Sequence, residues 1–362
     1  MRYQNVELHN VAELLTGDGL AVLPPAALVW VQQYGGGDAP WRAEGPEGLW
    51  FCRIPDALRR QLNPLAQINA LQATGAEMRF VLKPGDTVSV TLRSPFGPVI
   101  AEVYQGDFMV AWHVIGTEPT TLTLALPANA ETLAGLSRKH GLPFDARLTR
   151  VLLPWRPAVR LLGIEGACEL PPAGLAPARR YLAYGSSITH GNQGLHPSGT
   201  YAQRTAQLLG VELINLGFGG GAHLEPEMAD YIAARTDWDF ATLEMGINIR
   251  SLSVDEFAAR ARRFIGVIGA AHPGKPVFCI DLFTCDSDLG GDGNNKAAAF
   301  RKVVRRLVRE SGRPNLVYVA GDRMLQSVAG LTADLVHPSP HGMEEMARNL
   351  SAVIRRTRVK PA

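Results

Sequence analysis

A serine follows a strand-like segment near the middle of the chain. Residues Tyr181–Tyr184 are apolar or aromatic without polar alternation, and Gly185 and Ser187 come directly after them. Such a run is typical of a parallel strand buried on both faces, and glycine permits a sharp turn behind it. A serine at the carboxyl end of such a strand lies where open α/β sheets hold their ligands, beside helix N-termini. Ser187 is therefore a candidate nucleophile, although a turn that only joins strand to helix fits the same residues.

An acid and a base lie three positions apart near the end of the chain, at Asp334 and His337. One helical turn or a compact loop would put the two side chains on the same side. Asp334 could then fix the tautomer of His337, whose other ring nitrogen would take the proton of Ser187. A helix cap beside a surface histidine, or a pair of metal ligands, fits the same spacing. Because no further ligand cluster completes a coordination shell, we expect no metal and no cofactor.

Two loops offer hydrogen-bond donors that could stabilise an oxyanion. The glycines of Gly217–Gly221 would let backbone N–H groups approach a substrate closely, and Gly220 is the candidate donor. Asn248 carries a neutral amide in the loop after the next apolar run. A flexible glycine turn and a solitary turn asparagine are the alternatives. No G-x-G-x-x-G pattern opens a helix in the first strand unit, which argues against a dinucleotide site.

The second half of the chain alternates apolar runs with helical segments, which predicts a parallel sheet with helices on both faces. The predicted strands are Tyr181–Tyr184, Val211–Leu216, Phe240–Met245, Pro276–Phe283 and Leu316–Ala320. The clearest helix is Ser253–His272, with Ser253 as N-cap and Glu256 three residues later. Because parallel strands deliver their following loops to one sheet edge, the residues singled out above become neighbours.

The first half has a different pattern, with short extended runs broken by Gly, Pro and Asp. In Thr87–Leu92 polar and apolar residues alternate, as in a strand with one core face and one wet face. Strand-like runs recur at spacings typical of β-sandwiches. The proline-rich stretch Pro171–Pro177 predicts the boundary between an all-β domain, residues 1–175, and an α/β domain, residues 176–362.

The composition excludes several classes of protein. The chain has 362 residues, of which 19% are charged and 46% hydrophobic, with a formal net charge of only +2. These values argue against disorder and against a nucleic-acid surface, and the arginine-rich run Arg301–Arg309 is interpreted as a solvated helix face. Without a signal peptide or an apolar segment of bilayer length, we expect a cytoplasmic protein that does not bind membranes. The four cysteines are scattered, as expected of reduced thiols, and the oligomeric state stays open.

Taken together, the motif residues resemble the SGNH/GDSL hydrolase family. The resemblance implies a flavodoxin-like α/β/α sandwich, with Ser187, Asp334 and His337 as catalytic triad and Ser187, Gly220 and Asn248 as oxyanion hole. The blocks that carry it are Gly185–Thr189, Asn215–Gly220, Gly246–Asn248 and Asp334–Pro338.

Two residues depart from the family's usual motifs. The first block usually reads G-D-S, and Ser186 replaces that Asp, which leaves the support of the loop in question. The third block usually ends N-D, and here Ile249 follows the Asn. Together with the β-rich first half, these variants resemble a bacterial subgroup that has an N-terminal β-sandwich, jelly-roll-like, and includes a salicylyl acyltransferase. The α/β-hydrolase fold is disfavoured, because the serine motif lacks the second Gly of G-x-S-x-G.

Three functions follow from this interpretation. The first is a serine esterase that cleaves a small, acetyl-like acyl group from a carbohydrate or metabolite, with a small-molecule ester as its partner. The second is an acyltransferase that passes the acyl group to an alcohol. The third is a silent carbohydrate-binding protein. Aromatic residues of the first half could line a substrate wall, although such residues are more often core: Trp41, Trp50, Trp112 and His113.

Overall fold

The structure is a computed structural model that describes residues 1–16, 48–290 and 296–357. Trp41 lies outside the described residues. The chain divides into two compact units. Unit 1 comprises Met1–Arg59, Gln67–Ala178 and His196–Ser198, and unit 2 comprises Arg60–Ala66, Arg179–Leu195 and Gly199–Ala362. Each unit therefore contains a short segment from the other half of the sequence, while the proposed domain boundary at residue 175 stays a prediction.

Unit 1 contains two antiparallel sheets. The strands are β1 Arg2–Tyr3, β2 Val6–His9, β3 Glu13–Leu15, β4 Leu49–Cys52, β5 Glu77–Val81, β6 Thr87–Arg93, β7 Val99–Gln105, β8 Phe108–Ile115, β9 Thr120–Ala125, β10 Leu148–Leu152 and β11 Arg160–Gly166. The six-stranded sheet has the order β1-β2-β5-β10-β7-β8 and the five-stranded sheet the order β3-β4-β11-β6-β9. Three helices accompany the strands in this part of the sequence: α1 Asp56–Arg59, α2 Pro64–Asn69 and α3 Ala130–His140.

One hydrophobic cluster contains side chains of both sheets, among them Met78 and Phe80 of β5 and Val88 and Val90 of β6. In β6 the buried residues alternate with partly exposed ones, as the sequence pattern predicted. On β5, Glu77 is 3% exposed and pairs with Arg150 at 2.5 Å and Arg79 at 2.8 Å. Burial alone would raise the pKa of Glu77, but the two guanidinium groups outweigh it and hold the pKa well below the usual range. The carboxylate is thus ionised inside the unit.

Unit 2 is built on a parallel sheet, as the sequence predicted. The strands are β12 Arg180–Gly185, β13 Glu212–Gly217, β14 Phe240–Glu244, β15 Val277–Ile280 and β16 Leu316–Val319. Their order in the sheet is β13-β12-β14-β15-β16, which is the 2-1-3-4-5 order of flavodoxin-like sheets. The helices are α4 Ser187–His190, α5 Tyr201–Leu209, α6 Pro226–Ala234, α7 Val254–Ala271, α8 Lys296–Glu310 and α9 Pro340–Arg356.

Helices cover both faces of the parallel sheet. Tyr181 and Ala183 of β12 belong to a hydrophobic cluster with residues of α5 and α9. Tyr184, which faces the opposite way along the strand, lies 4.6 Å from the ring of Phe264 on α7, measured between ring centroids. The N-terminus of α7 has the capping box expected from the sequence, in which Ser253 and Glu256 bond each other's backbone.

The aromatic residues of unit 1 have different environments. Trp50 is 1% exposed and belongs to the core, whereas Trp112 on the edge strand β8 is 58% exposed. No helix of the described ranges is both apolar enough and long enough to cross a bilayer.

Candidate active site

The nucleophile candidate sits on the turn between β12 and α4. Ser186 is the N-cap of α4, and its side-chain oxygen accepts a hydrogen bond from the Ile188 N–H at 3.2 Å. Ser187 is therefore the first residue of the helix and is 6% exposed. The sequence suggested that Gly185 allows a sharp turn. The structure gives a different reason, because a Cβ at Gly185 would lie 2.3 Å from the Glu244 carboxylate.

Ser187, His337 and Asp334 form a continuous hydrogen-bonded chain. The Ser187 Oγ lies 2.7 Å from His337 Nε2, and His337 Nδ1 lies 2.6 Å from Asp334 Oδ2. The three residues expected from the sequence are thus brought together although Ser187 and His337 are 150 positions apart.

The acid and the base lie in a compact loop, the second of the two geometries that the spacing allowed. Asp334 Oδ1 accepts hydrogen bonds from the N–H groups of Val336 and His337, both at 2.9 Å, and from the Thr332 hydroxyl at 2.8 Å. Leu335 has a positive φ of 56°, which brings the chain back towards the carboxylate. Asp334 therefore fixes both the backbone and the ring of the histidine.

Hydrogen bonding determines the charge of Asp334. Partial burial would raise its pKa, but the N–H groups of His337 and Val336, the His337 ring and the Thr332 hydroxyl outweigh that effect and lower the pKa from 3.8 to about 2. An ionised carboxylate is only an acceptor, so His337 Nδ1 carries a proton towards it. In the neutral imidazole Nε2 then has a free lone pair, which accepts the hydrogen bond of the Ser187 hydroxyl.

Three hydrogen-bond donors near the Ser187, His337 and Asp334 side chains have no acceptor among the described residues. They are the Ser187 N–H, the Gly220 N–H and the Asn248 Nδ2 group. Ser187 opens α4, where N–H groups lack an intrahelical partner. Gly220 is the third residue of a turn closed by the Gly221 N–H and the Phe218 carbonyl, at 3.0 Å, and has φ of 69°. These are the three donors that the family resemblance implied.

Neighbouring contacts fix the loop that carries Gly220. Asn248 Oδ1 accepts from the Ala222 N–H at 3.2 Å, which leaves its Nδ2 as the donor end of the amide. His223 Nε2 lies 3.0 Å from the Gly220 carbonyl oxygen, and the Arg260 guanidinium donates to the His223 carbonyl at 3.1 Å. Donors aimed at a developing charge are most effective when they are held rigidly in this way.

Buried polar groups also connect α4 to the loop Gly217–Gly221, here called the glycine loop. Asn215 on β13 donates to the Thr189 carbonyl at 2.9 Å and accepts from the Gly217 N–H at 2.8 Å. His190 is fully buried, and its Nδ1 lies 2.9 Å from the Gly217 carbonyl oxygen. The relative position of the Ser187 turn and the glycine loop therefore depends on side chains inside the domain.

Glu244, which is not among the site residues expected from the sequence, contacts the turn between β12 and α4 that carries Ser187, here called the nucleophile turn. It is 1% exposed at the end of β14, and its Oε2 accepts from the Ser186 N–H at 2.5 Å and from the Thr189 hydroxyl at 3.2 Å. Burial raises its pKa above the usual range, because these hydrogen bonds only partly compensate for it. The loop thus has a carboxylate partner even though Ser186 replaces the Asp of the usual motif. A charged residue at the end of an otherwise apolar strand was the signal that could have revealed it.

No group of three or more His, Cys, Asp or Glu side chains in the described ranges is arranged to hold a metal ion.

Comparisons with known proteins concern the family and the fold. Residues 178–355 match the model of the GDSL-like Lipase/Acylhydrolase family. A search of curated proteins found no match. Among solved structures, the salicylyl-acyltransferase SsfX3 from a tetracycline biosynthetic pathway is 18% identical with a TM-score of 0.71, over 99% of this chain and 97% of that one. A GDSL-like lipase from Bacteroides ovatus is 17% identical with a TM-score of 0.66, over 97% and 98% of the two chains.

A family two carbohydrate esterase from Clostridium thermocellum is also similar in structure. It is 18% identical with a TM-score of 0.57, over 87% of this chain and 95% of that one. At these identities the structures show a shared fold. The family match identifies residues 178–355 as a domain of the GDSL-like Lipase/Acylhydrolase family.

Proposed function

We propose that the protein is a serine esterase in which Ser187 is the nucleophile, His337 the general base and Asp334 the residue that orients it. The observation that carries the proposal is the hydrogen-bonded chain from Ser187 Oγ through both ring nitrogens of His337 to Asp334, at 2.7 Å and 2.6 Å. Serine is a weak nucleophile unless an adjacent base takes its proton.

In the first half-reaction, Ser187 Oγ bonds to the ester carbonyl carbon while its proton moves to His337 Nε2. The carbonyl oxygen becomes an oxyanion, which accepts hydrogen bonds from the Ser187 N–H, the Gly220 N–H and the Asn248 amide. Collapse of this intermediate breaks the bond to the alcohol oxygen, which leaves with the proton from His337. The Asp334 carboxylate stabilises the imidazolium throughout and keeps its own ionised state.

In the second half-reaction, water takes the place of the alcohol. His337 removes one proton from the water as its oxygen bonds to the acyl carbon, and the same three donors hold the second oxyanion. Collapse releases the carboxylic acid and returns the proton to Ser187. Each donor that is lost from such a site typically lowers turnover by about 10²–10³-fold.

For the substrate we propose a small, acetyl-like ester of a carbohydrate or metabolite. The similarity to a carbohydrate esterase supports this substrate class at the level of the fold. The alternative is transfer of the acyl group to an alcohol, which the similarity to a salicylyl-acyltransferase over almost the whole chain supports at the level of the fold. Adding alcohols to the ester assay distinguishes the two, because a transferase forms a new ester at the expense of free acid.

We also propose that the antiparallel sheets form a β-sandwich of jelly-roll type, as a domain of residues 1–175 before a catalytic domain of residues 176–362. The hydrophobic cluster shared by both sheets supports this proposal. Limited proteolysis within residues 171–177 should then leave two stable fragments. If either fragment were degraded as fast as residues 171–177 are cleaved, the proposed domain boundary would be wrong.

Hydrolysis of p-nitrophenyl esters, from acetyl to longer acyl chains, tests the proposed activity. Ser187→Ala should abolish nearly all turnover, whereas Ser327→Ala, at an exposed serine without a capping bond, is the matched control and should retain it. We expect the rate to fall with acyl length. Equal rates for Ser187→Ala and wild type would refute the assignment, and complete inertness of the wild type would favour a binding protein.

A further inference from the structure

A short segment from the first half of the sequence, Arg60–Ala66, belongs to the same compact unit as the candidate active site. It lies outside the residues that match the family model. Asn63 in this segment contacts the glycine loop although it is 158 positions away from Gly221. The segment therefore belongs to the unit that carries the candidate active site, although the motifs of the second half do not predict this.

The Asn63 amide is engaged at both ends. Its Nδ2 group donates to the Gly221 carbonyl at 2.9 Å and to the Glu225 carboxylate. Its Oδ1 accepts from the Ala66 N–H at 3.1 Å, and its own N–H donates to the same Glu225 carboxylate at 3.4 Å. Because Pro64 begins α2, Asn63 occupies the N-cap position and its rotamer is fixed by its own helix.

Gly221 lies against the backbone of this segment. A Cβ at Gly221 would be 2.5 Å from the Ala66 nitrogen and 2.8 Å from the Ala66 Cα, so only glycine allows the approach. Gly221 also closes the turn that holds Gly220, through its N–H and the Phe218 carbonyl. The segment thus fixes one corner of a four-residue turn whose neighbouring corner carries the Gly220 N–H.

We propose that Asn63 is a positioning residue for the oxyanion hole, which it serves by holding the Gly221 carbonyl and, through the turn, the direction of the Gly220 N–H. This inference rests on the proposed function, since it concerns the stabilisation of an oxyanion. A donor that is displaced rather than removed should cost less than complete loss, so we expect kcat to fall about 10–100-fold with little change in KM.

The variant Asn63→Asp is the sharpest test. It keeps an oxygen for the Ala66 N–H and so preserves the cap, but it removes the Nδ2 donor and puts a second carboxylate beside Glu225. The double variant Asn63→Asp with Glu225→Gln removes the repulsion between the two carboxylates but still leaves the Gly221 carbonyl without its donor, so the melting temperature should recover while kcat stays low. Ser253→Ala, which removes a side-chain hydrogen bond at the start of α7, is the control for the loss of such a bond elsewhere in the unit and should keep the wild-type kcat.

Three measurements separate positioning from a merely structural role: kcat and KM on a short ester, the melting temperature, and inhibition by an alkyl boronic acid. A boronic acid forms a tetrahedral adduct with the serine and places an oxygen in the oxyanion hole, so its inhibition constant should rise about as much as kcat falls. Unchanged kcat and unchanged boronate inhibition in Asn63→Asp would overturn the inference. A Ser253→Ala variant that loses as much kcat would overturn it too.

The Ser187→Ala variant in the same assays shows whether only the positioning role of Asn63 is wrong or the proposed esterase activity as well. If turnover depends on Ser187 but not on Asn63, the positioning role falls and the proposed esterase stands. If wild-type turnover does not depend on Ser187, both fall together.

Discussion

Replacing Glu244 tests whether a buried carboxylate supports the nucleophile turn. In Glu244→Ala the Ser186 N–H loses its partner at 2.5 Å, whereas Thr189 keeps the Tyr201 hydroxyl at 2.7 Å. One unsatisfied buried donor costs about 1–3 kcal/mol, and the space left by the shortened side chain adds to this cost. We therefore expect about 2–4 kcal/mol of lost stability and a melting temperature about 5–15 °C lower.

Glu244→Gln should behave differently, because the amide oxygen can still accept from the Ser186 N–H. The pKa of Glu244 is raised in the folded protein by burial. Its ionisation therefore opposes folding, and this part of the stability falls as the pH rises above the unfolded value near 4.5 and through the folded pKa. Glutamine does not ionise, so Glu244→Gln should gain stability relative to wild type as the pH rises.

Melting temperatures of wild type, Glu244→Ala and Glu244→Gln between pH 5 and pH 8, together with kcat at pH 7, are the assay. We expect the alanine variant to lose both stability and kcat, since the turn that presents Ser187 loses its anchor. A glutamine variant as unstable as the alanine variant, or a wild-type-to-glutamine difference that does not change with pH, would refute the reasoning.

Further predictions concern three other groups. Asp334→Asn should lower kcat by about 10⁴-fold, as loss of the orienting carboxylate does in other triads. Because the pKa of Asp334 is lowered to about 2, its contribution to stability should be present above pH 3.8 and lost as the pH falls through about 2, which acid unfolding of wild type and variant measures. Asn248→Ala should lower kcat about 10²–10³-fold with little change in KM, by steady-state kinetics. Glu77→Gln should cost about 3–5 kcal/mol in denaturant unfolding, because it removes the buried carboxylate that the guanidinium groups of Arg150 and Arg79 share.

The sequence predicted those functional residues whose partners or positions depend on nearby residues in the chain. Asp334 and His337 are three positions apart and meet within one loop. Ser253 and Glu256 form a capping box that is visible in the order of the residues. Ser187 could be placed because the end of a parallel strand determines on which edge of the sheet the following residue lies.

What the sequence did not predict depends on contacts between distant positions. Glu244 is 58 positions from Ser186, and nothing beside it in the chain points to that partner. Asn63 lies in the other half of the sequence, so a division at residue 175 separates it from the loop that it bonds. From the sequence, Gly185 was expected to permit a sharp turn. In the structure the Glu244 carboxylate occupies the space that a side chain at position 185 would need, so only glycine fits there.

The sequence also did not predict which aromatic residues of the first half are buried and which are exposed. Trp50 and Trp112 have the same chemistry and both lie in strands of the first half. Trp112 is exposed on β8, which is last in the order of its sheet and pairs with β7 alone among the described strands. Strand order is a property of the whole unit, and local pattern does not contain it.

The most direct test of the central claim is mass spectrometry of the protein after rapid mixing with a short p-nitrophenyl ester and acid quench. We expect a mass increase of one acyl group, located by peptide mapping on Ser187 and absent in Ser187→Ala. Slow loss of the adduct in water, with faster loss in the presence of an alcohol, would favour transfer over hydrolysis. An acyl group on another residue, or Ser187→Ala with the same adduct, would contradict the assignment of Ser187 as nucleophile.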